Sequence, residues 1–426
     1  MHLVALNLTD LFLSLWRGTM ECDSSDDIET WDFAVFRNVE LWKWHGAYVG
    51  GTRPYLPGIF DCPPRDVADK LTSGYKSQEF LTYFCGLAPA LLYGILPEKY
   101  WCHFCKLISS LRILHQHKIT SEEIIETTIN LNSSVKEFEE LYYCRRKDRL
   151  HFCRPCMHAV IHVPPESRRI GPHPLLTQYT LEHTIGNLGE EIKQPSQPYA
   201  NLSQRGVRRA QVNALKVAVP ELDSTSELQR NPSLAVALDG GYELRHARDK
   251  RPYTMTLAES QAFWSYLQQH DNKVIQIYRW ARLALPNGHI ARSFWSERNK
   301  SIDKLRISRN VKIQLDKHMG YAEVQFYFRV TINGVTQNLA LVSLYSEPDQ
   351  NLLQASFKTV WACHYQGQNA LKVIKINAIK AVVGMVPFPV GSYTQEQNIQ
   401  QRPCFVVEKI GLERDTEMQR ENGDAN

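Results

Sequence analysis

The stretch AEVQFYFRVTINGVTQNLALVSLY, residues 322–345, decides the fold predicted for the C-terminal half of the chain. It is rich in valine, isoleucine and aromatic residues, and its centre holds INGV (332–335), a signal for a tight hairpin turn. Similar short segments lie on either side, VKIQL at 311–315 and ALKVIKINAIKAVVGMVPF at 370–388. Residues 291–411 are therefore predicted to form a small antiparallel β-barrel or β-sandwich.

The residues before this half follow a helical pattern. Residues 120–143, TSEEIIETTINLNSSVKEFEELYY, begin with a capping box of Thr120 and Glu123 and continue with apolar residues at helical spacing. A second helix is predicted over 174–193. Its expected core stripe consists of Leu181, Ile185, Leu188 and Ile192. We therefore predict an α+β protein in which residues 1–223 are mainly helical.

Two polar segments complete the predicted organisation. Residues 224–290 lack a clear period over much of their length, and we interpret them as a linker that contains one short helix. The C-terminal residues 412–426 are polar throughout and are predicted to be a disordered tail.

Composition limits the class of protein. The 426 residues are 43% hydrophobic with a net charge of +4, which is typical of a folded protein with a sizeable core. Ten irregularly spaced cysteines favour reduced thiols, so we expect a nuclear or otherwise cytoplasmic protein that is not secreted. The uncharged segment at 80–96 is short and contains Gly86, Pro89 and Gly94, which favours a buried helix over a membrane span.

A zinc site is one hypothesis for HFCRPCMHAVIH, residues 151–162. Cys156, His158 and His162 are its weak candidate ligands, and a second pair of cysteines, Cys102 and Cys105, lies upstream. The upstream pair lies within a helical pattern and lacks the tight turn usual in zinc knuckles, which argues against zinc. The plainer interpretation is that the cysteines are buried packing residues and the histidines form hydrogen bonds in the core.

Glu182 is the best single candidate for a catalytic carboxylate. It shares a predicted helix face with Gly186 and Gly189, and interior glycines at helical spacing suggest a close approach by another group. A two-metal site for phosphoryl transfer needs several converging carboxylates, and no second acidic residue has a comparable context.

Basic clusters provide the candidate contacts to nucleic acid. RRKDR (145–149), SRR (167–169), QRGVRR (204–209) and RHARDKR (245–251) are separate along the chain. Several such clusters favour phosphate contacts, although each one alone is more often a solvated basic face. The candidate nucleic-acid-binding residues are Arg145, Arg146, Arg205, Arg208 and Arg209.

A set of segments along the chain resembles transposases of the CACTA type. These segments are MHLVALNLTDLFLSLWRG (1–18), KEFEELYY (136–143), HFCRPCMHAVIH (151–162), GPHPLLTQYTLEHTIGNLGEEIKQPSQPYANLSQRG (171–206), YAEVQFYFRV (321–330), IKAVVGMVPF (379–388) and CFVVEK (404–409). The chain is most similar to the forms found in basidiomycete fungi. The resemblance covers most of residues 1–411 and is most specific over 171–215.

The resemblance implies an RNase H-like core with a helical insertion, in which two aspartates and a glutamate hold divalent metal while DNA is cut and joined. Glu182 matches the position of the third acid, and His158 and His162 match a histidine pair that precedes it. The half from about residue 290 resembles the small domain that follows the catalytic core.

One departure from the family limits the expected activity. In the family, an aspartate lies two residues before the methionine that matches Met1. We therefore expect an N-terminally truncated, catalytically incomplete, transposase-derived protein that associates with DNA. Mg²⁺ or Mn²⁺ would bind only in a complete core. The alternative is a non-catalytic DNA- or protein-binding module, with a structural zinc as one possibility. The oligomeric state is left open.

Overall fold

The computed structural model shows an α+β protein, with helices in the first half and antiparallel sheets in the second. The residues that the structure describes are 2–71, 74–192, 196–219, 222, 235–269, 273–315, 318–332, 334–389 and 403–411. Those of 2–175 and 237–411 form one compact unit, and those of 176–236 form another.

Helices of 4 to 18 residues build the first part of the larger unit. They are α1 (Thr9–Trp16), α2 (Val39–Gly51), α3 (Val67–Lys70), α4 (Ser77–Leu81), α5 (Ala88–Leu91), α6 (Glu98–Leu114), α7 (Ser121–Phe138), α8 (Pro155–Ala159) and α9 (Val163–Ile170). Helix α7 begins at the predicted capping box, since Thr120 Oγ1 accepts the Glu123 N–H at 3.2 Å and the Glu123 carboxylate accepts the Thr120 N–H at 2.8 Å. This start is therefore confirmed.

An aromatic core explains why these helices pack together. The ring of Phe12 on α1 lies within 6.0 Å, centroid to centroid, of Phe84, Phe104, Phe138 and Tyr142. Burial of such rings is the largest apolar contribution that a small helix can make. The apolar segment at 80–96 belongs to this core, and no helix among the described residues is long and apolar enough to cross a bilayer.

The sheets have antiparallel pairing. The strands are β1 (Val236–Ala237), β2 (Glu243–Arg248), β3 (Tyr253–Thr254), β4 (Gln276–Ile277), β5 (Arg279–Ala284), β6 (Ile290–Arg292), β7 (Asn310–Leu315), β8 (His318–Ile332), β9 (Val335–Leu344), β10 (Ala362–Cys363), β11 (Leu371–Lys375), β12 (Ile379–Val382), β13 (Gly384–Pro387) and β14 (Cys404–Val407). The main path runs β1-β2-β5-β8-β7-β12, with β9, β11 and β6 attached; β10-β14-β13 and β3-β4 are separate.

The long strand β8 determines the shape of the main sheet. One edge of β8 pairs with β9, as the hairpin prediction requires, while its other edge pairs with β7 at one end and β5 at the other. The sheet therefore forks at β8, and its described strands do not close into a barrel. Of the two architectures predicted for residues 291–411, the closed β-barrel is therefore wrong. The smaller unit contains α10 (Tyr179–Glu191) and α11 (Pro198–Ala218), and three further helices accompany the strands, α12 (Leu257–Tyr266), α13 (Phe294–Glu297) and α14 (Gln350–Ala355).

Helices and strands of the larger unit share one core. Val386, Phe388, Phe405 and Val407 belong to the same buried cluster as the helical aromatics. Arg112 of α6 donates to the Thr359 carbonyl at 2.6 Å, and the Thr359 hydroxyl donates back to the Cys105 carbonyl at 3.1 Å. Of the predicted linker 224–290, the described part contains β1 to β5, part of β6 and the short helix α12.

Candidate nucleic-acid interface

Glu182 lies in the first turn of α10 (Tyr179–Glu191), in the smaller unit, and is exposed. The predicted core stripe of this helix is exposed at its start, with Leu181 and Ile185 each 58% accessible. A Cβ added at Gly186 or Gly189 would meet no atom within 4 Å. The close approach expected at these glycines is therefore absent among the described residues, because the helix packs few of its side chains.

The three residues named as weak metal ligands, Cys156, His158 and His162, do not form a metal site. Cys156 is buried, and its thiol lies 3.8 Å from the Asn7 carbonyl oxygen. His158 and His162 are exposed, and their Nε2 atoms lie 3.0 Å apart on successive turns. In the described part of the chain, no three His, Cys, Asp or Glu side chains are grouped so that they could hold a metal ion.

The first arginine cluster contacts acidic side chains of its own fold. Arg146 lies 2.5 Å from Asp148 and 2.9 Å from Asp26, and Arg145 lies 3.7 Å from Glu140. Arg149 forms a two-pronged ion pair with Asp26, and this hydrogen bonding lowers the pKa of the Asp26 carboxyl to about 2. Much of the charge of RRKDR is therefore compensated within the protein.

The second cluster lies on α11 (Pro198–Ala218), also in the smaller unit. Arg208 is exposed, Arg205 donates to the Asn201 side chain at 3.1 Å, and Arg209 pairs with Glu191 of α10. Exposed apolar side chains, such as Val207 at 54%, lie on the same helix. Helix α11 thus presents cations beside uncovered apolar surface.

A third group of arginines lies on the main sheet, where strand pairing aligns them in a row. Arg245 of β2 lies directly opposite Arg282 of β5, and Arg282 lies directly opposite Arg292 of β6. Adjacent strands are about 4.8 Å apart, so three guanidinium-bearing side chains start from one row across the sheet. With Arg248 of β2, they form what we call the arginine face.

The core holds this row in place. On the other face of the same strands, Leu244 pairs with Leu283, and Leu283 pairs with Ala291, and all three side chains are completely buried. Since successive side chains of a strand point to opposite faces, burial of these residues turns the neighbouring arginines outward. The register of the arginine row is therefore set by apolar packing.

Few acids compensate the arginine face. Glu243 accepts from Arg245 at 2.8 Å, while Glu297, which is buried, lies 3.7 Å from Arg292 and 3.2 Å from Arg309. Burial raises the pKa of the Glu297 carboxyl, although the two arginines oppose this shift. Arg282 is exposed and forms no ion pair with any described residue. The row concentrates positive potential on this face. It also costs stability, because like charges directly opposite one another on paired strands repel.

Aromatic rings lie beside the row. The guanidinium of Arg248 is stacked 4.8 Å from the ring centroid of Tyr278 and 5.5 Å from that of Trp280. Tyr278 is 41% exposed, whereas Trp280 is 5% exposed. Arg248 pairs with Trp280 across β2 and β5, which places this stack on the same face as Arg282.

Sequence reasoning recognised only part of the arginine face. RHARDKR was identified as a basic cluster, but its residues were assigned to a linker, and Arg282 and Arg292 were not singled out. The available signal was RWARLA (279–284), in which one arginine lies between apolar neighbours at strand spacing.

No protein-family model, no curated protein and no solved structure matches the chain. The geometry of the arginine face is thus the main guide to function.

Proposed function

We propose that this chain is a transposase-derived protein that associates with DNA, and that the arginine face contacts the phosphate backbone. The row Arg245–Arg282–Arg292 is the observation that carries the proposal. Lysine and arginine contacts to phosphates supply most non-specific affinity for DNA, because they release condensed counterions. A row of cations on a rigid sheet positions such contacts better than side chains on a solvated loop.

The resemblance of quoted segments, above all residues 171–206, to CACTA-type transposases supports the ancestry part of this proposal. In that view, the helices of residues 2–175 derive from the insertion and flanking parts of an RNase H-like core, and Glu182 descends from its third acid. The chain itself binds DNA without cutting it, since a two-metal reaction requires several acids around the cations. Metal-dependent DNA cleavage by the purified chain, lost in Glu182→Ala, would contradict this part.

The DNA-binding part is tested by fluorescence anisotropy with a labelled 30-base-pair duplex over a series of salt concentrations. We expect log K to fall linearly with log salt concentration, and each lost phosphate contact to reduce the slope by about 1. Arg282→Gln is therefore expected to reduce the slope by about 1.

Lys136→Gln is the matched control. It removes one positive charge from an exposed position on α7, in the helical part of the larger unit and outside the basic clusters. It is expected to leave the slope unchanged. Equal effects of the two variants, or no binding even at low salt, would remove the arginine face as the DNA contact.

A further inference from the structure

We propose that the arginine face takes a single-stranded nucleic acid, with Tyr278 and Arg248 as the platform on which a base stacks. This inference rests on the proposed function and specifies the form of the ligand. Aromatic rings and guanidinium planes bind unpaired bases, whose faces are hidden in a duplex. The exposed ring of Tyr278 lies on the same sheet face as the cations that would contact the phosphates.

Stacking requires a ring that is both exposed and held in place. Tyr278 directly precedes β5, and the Asp249 N–H donates to the carbonyl of its neighbour Arg279 at 2.9 Å. The guanidinium of Arg248 covers the buried ring of Trp280 and also contacts Tyr278. A cation on an aromatic ring lowers the conformational freedom of both groups, so less entropy is lost when a base binds.

A second exposed ring follows the β6 member of the row in the sequence. Phe294 is 40% exposed and follows Arg292 by two residues, at the start of α13. Between them, the backbone N–H and the hydroxyl of Ser293 both donate to the Ala281 carbonyl of β5, at 3.0 and 3.1 Å. Exposed rings therefore occur both before the start of β5 and after β6, and a strand that alternates phosphates and bases offers ligands to both cations and rings.

The shape of the surface also favours a single strand over a duplex. The major groove of B-DNA admits an α-helix or a two-stranded ribbon. The arginine face is instead part of a sheet in which β5 has paired strands on both edges, so its central arginine, Arg282, is carried by an interior strand. A flexible strand can lie across such a surface, whereas a duplex would contact it only through its outermost phosphates.

The test compares a labelled 20-nucleotide oligo-dT with a duplex of the same length, each titrated with the full chain at fixed low salt. We expect the single strand to bind at least tenfold more tightly. Tyr278→Ala is expected to raise the Kd for the single strand by about 5- to 150-fold, the usual effect of losing one stacked base, with little effect on the duplex.

Three variants distinguish stacking from a structural role. Tyr278→Phe retains the ring and is expected to bind like the wild type. Tyr278→Leu retains bulk without a π face and is expected to behave like Tyr278→Ala while keeping the wild-type melting temperature. Trp44→Ala removes an aromatic residue of similar exposure (40%) from α2 and is expected to leave binding unchanged.

The outcomes separate this inference from the proposed function. If the single strand and the duplex bind equally, or if Tyr278→Leu binds oligo-dT like the wild type, the stacking platform is wrong while DNA association through Arg282 still stands. If neither ligand binds at low salt, both proposals are wrong.

Discussion

Replacement of Asp26 by asparagine is expected to destabilise the helical part of the protein severely. The Asp26 carboxylate is 1% exposed and accepts from Arg149 Nε and Nη2 at 2.7 and 2.8 Å, and from the Trp31 indole at 2.8 Å. The Arg149 side chain is itself only 6% exposed. Asp26→Asn keeps the shape of the side chain but leaves the guanidinium of Arg149 buried without its principal counter-charge.

The size of the effect follows from burial and from the pKa. Removal of one partner from a buried ion pair costs about 3–5 kcal/mol, because the remaining charge is desolvated and uncompensated. The folded-state pKa of Asp26 is about 2, against 3.8 for an unperturbed carboxyl. At 1.36 kcal/mol per pKa unit, ionisation of this group contributes about 2 kcal/mol. Since the folded pKa is the lower one, this contribution is complete above about pH 4 and is lost as the pH falls through about 2.

Urea unfolding followed by circular dichroism, at pH 7 and at intervals down to pH 2, measures both effects. We expect Asp26→Asn to lose about 3 kcal/mol at pH 7 and to show a shallower decline of stability between pH 4 and pH 2 than the wild type. Glu40→Gln is the control, since Glu40 is 83% exposed in its pair with Lys43, and it is expected to change little. A loss below 1 kcal/mol in Asp26→Asn, with an unchanged acid limb, would refute the reasoning.

Two further predictions concern the same part of the fold. Burial lowers the pKa of His45 to about 3, so the folded state holds this imidazole neutral, and its protonation in the unfolded state lowers the unfolding free energy by about 1.4 kcal/mol per pH unit below pH 6.5. Burial also lowers the pKa values of His103 and His115 to about 4, so both proteins lose stability as the pH falls. Urea titrations should therefore show a decline that is shallower in His45→Gln than in the wild type by about 1.4 kcal/mol per pH unit. Gly46→Ala on α2 would place a Cβ 2.7 Å from the Ala68 backbone nitrogen, and it is expected to lower the free energy of unfolding by about 1–3 kcal/mol. A Cβ at Gly51, on the same helix, would meet no atom within 4 Å, so Gly51→Ala is expected to change stability less. Thermal melts that rank the two glycine variants equally would contradict the packing argument.

Local signals predicted the elements of this protein well. The capping box at Thr120 and the hairpin in residues 322–345 both depend on contacts between residues close in the sequence, and both are present. Helical spacing over residues 120–143 likewise predicted α7, and Leu131 and Phe138 lie on its buried side. Such features can be predicted because a helix cap or a hairpin turn forms from residues close in the sequence and needs no contact with a distant segment.

The sequence offered less guidance where the prediction required knowing which segment packs against a helix face or lies beside a charged side chain. Leu181 and Ile185 have the spacing of a core stripe, yet spacing alone does not supply the second surface that would bury them. Arg145 and Arg146 were named as candidate nucleic-acid contacts, and the sequence could not show that Asp26, more than a hundred residues earlier, lies beside Arg146. In the second case, the deciding neighbour is distant along the chain.

The arginine face shows how a contact between segments that are separate in the sequence can create a row of like charges. A shift of one residue between β2 and β5 would replace Arg245 by Leu244 opposite Arg282 and expose the leucine to water. The buried Leu244–Leu283 pair therefore selects the register, and the register brings the arginines together despite their mutual repulsion. The apolar core thus supplies the energy that holds like charges in a row. It follows that substitutions which weaken this core, such as Leu283→Ala, should reduce DNA binding even though they alter no charge.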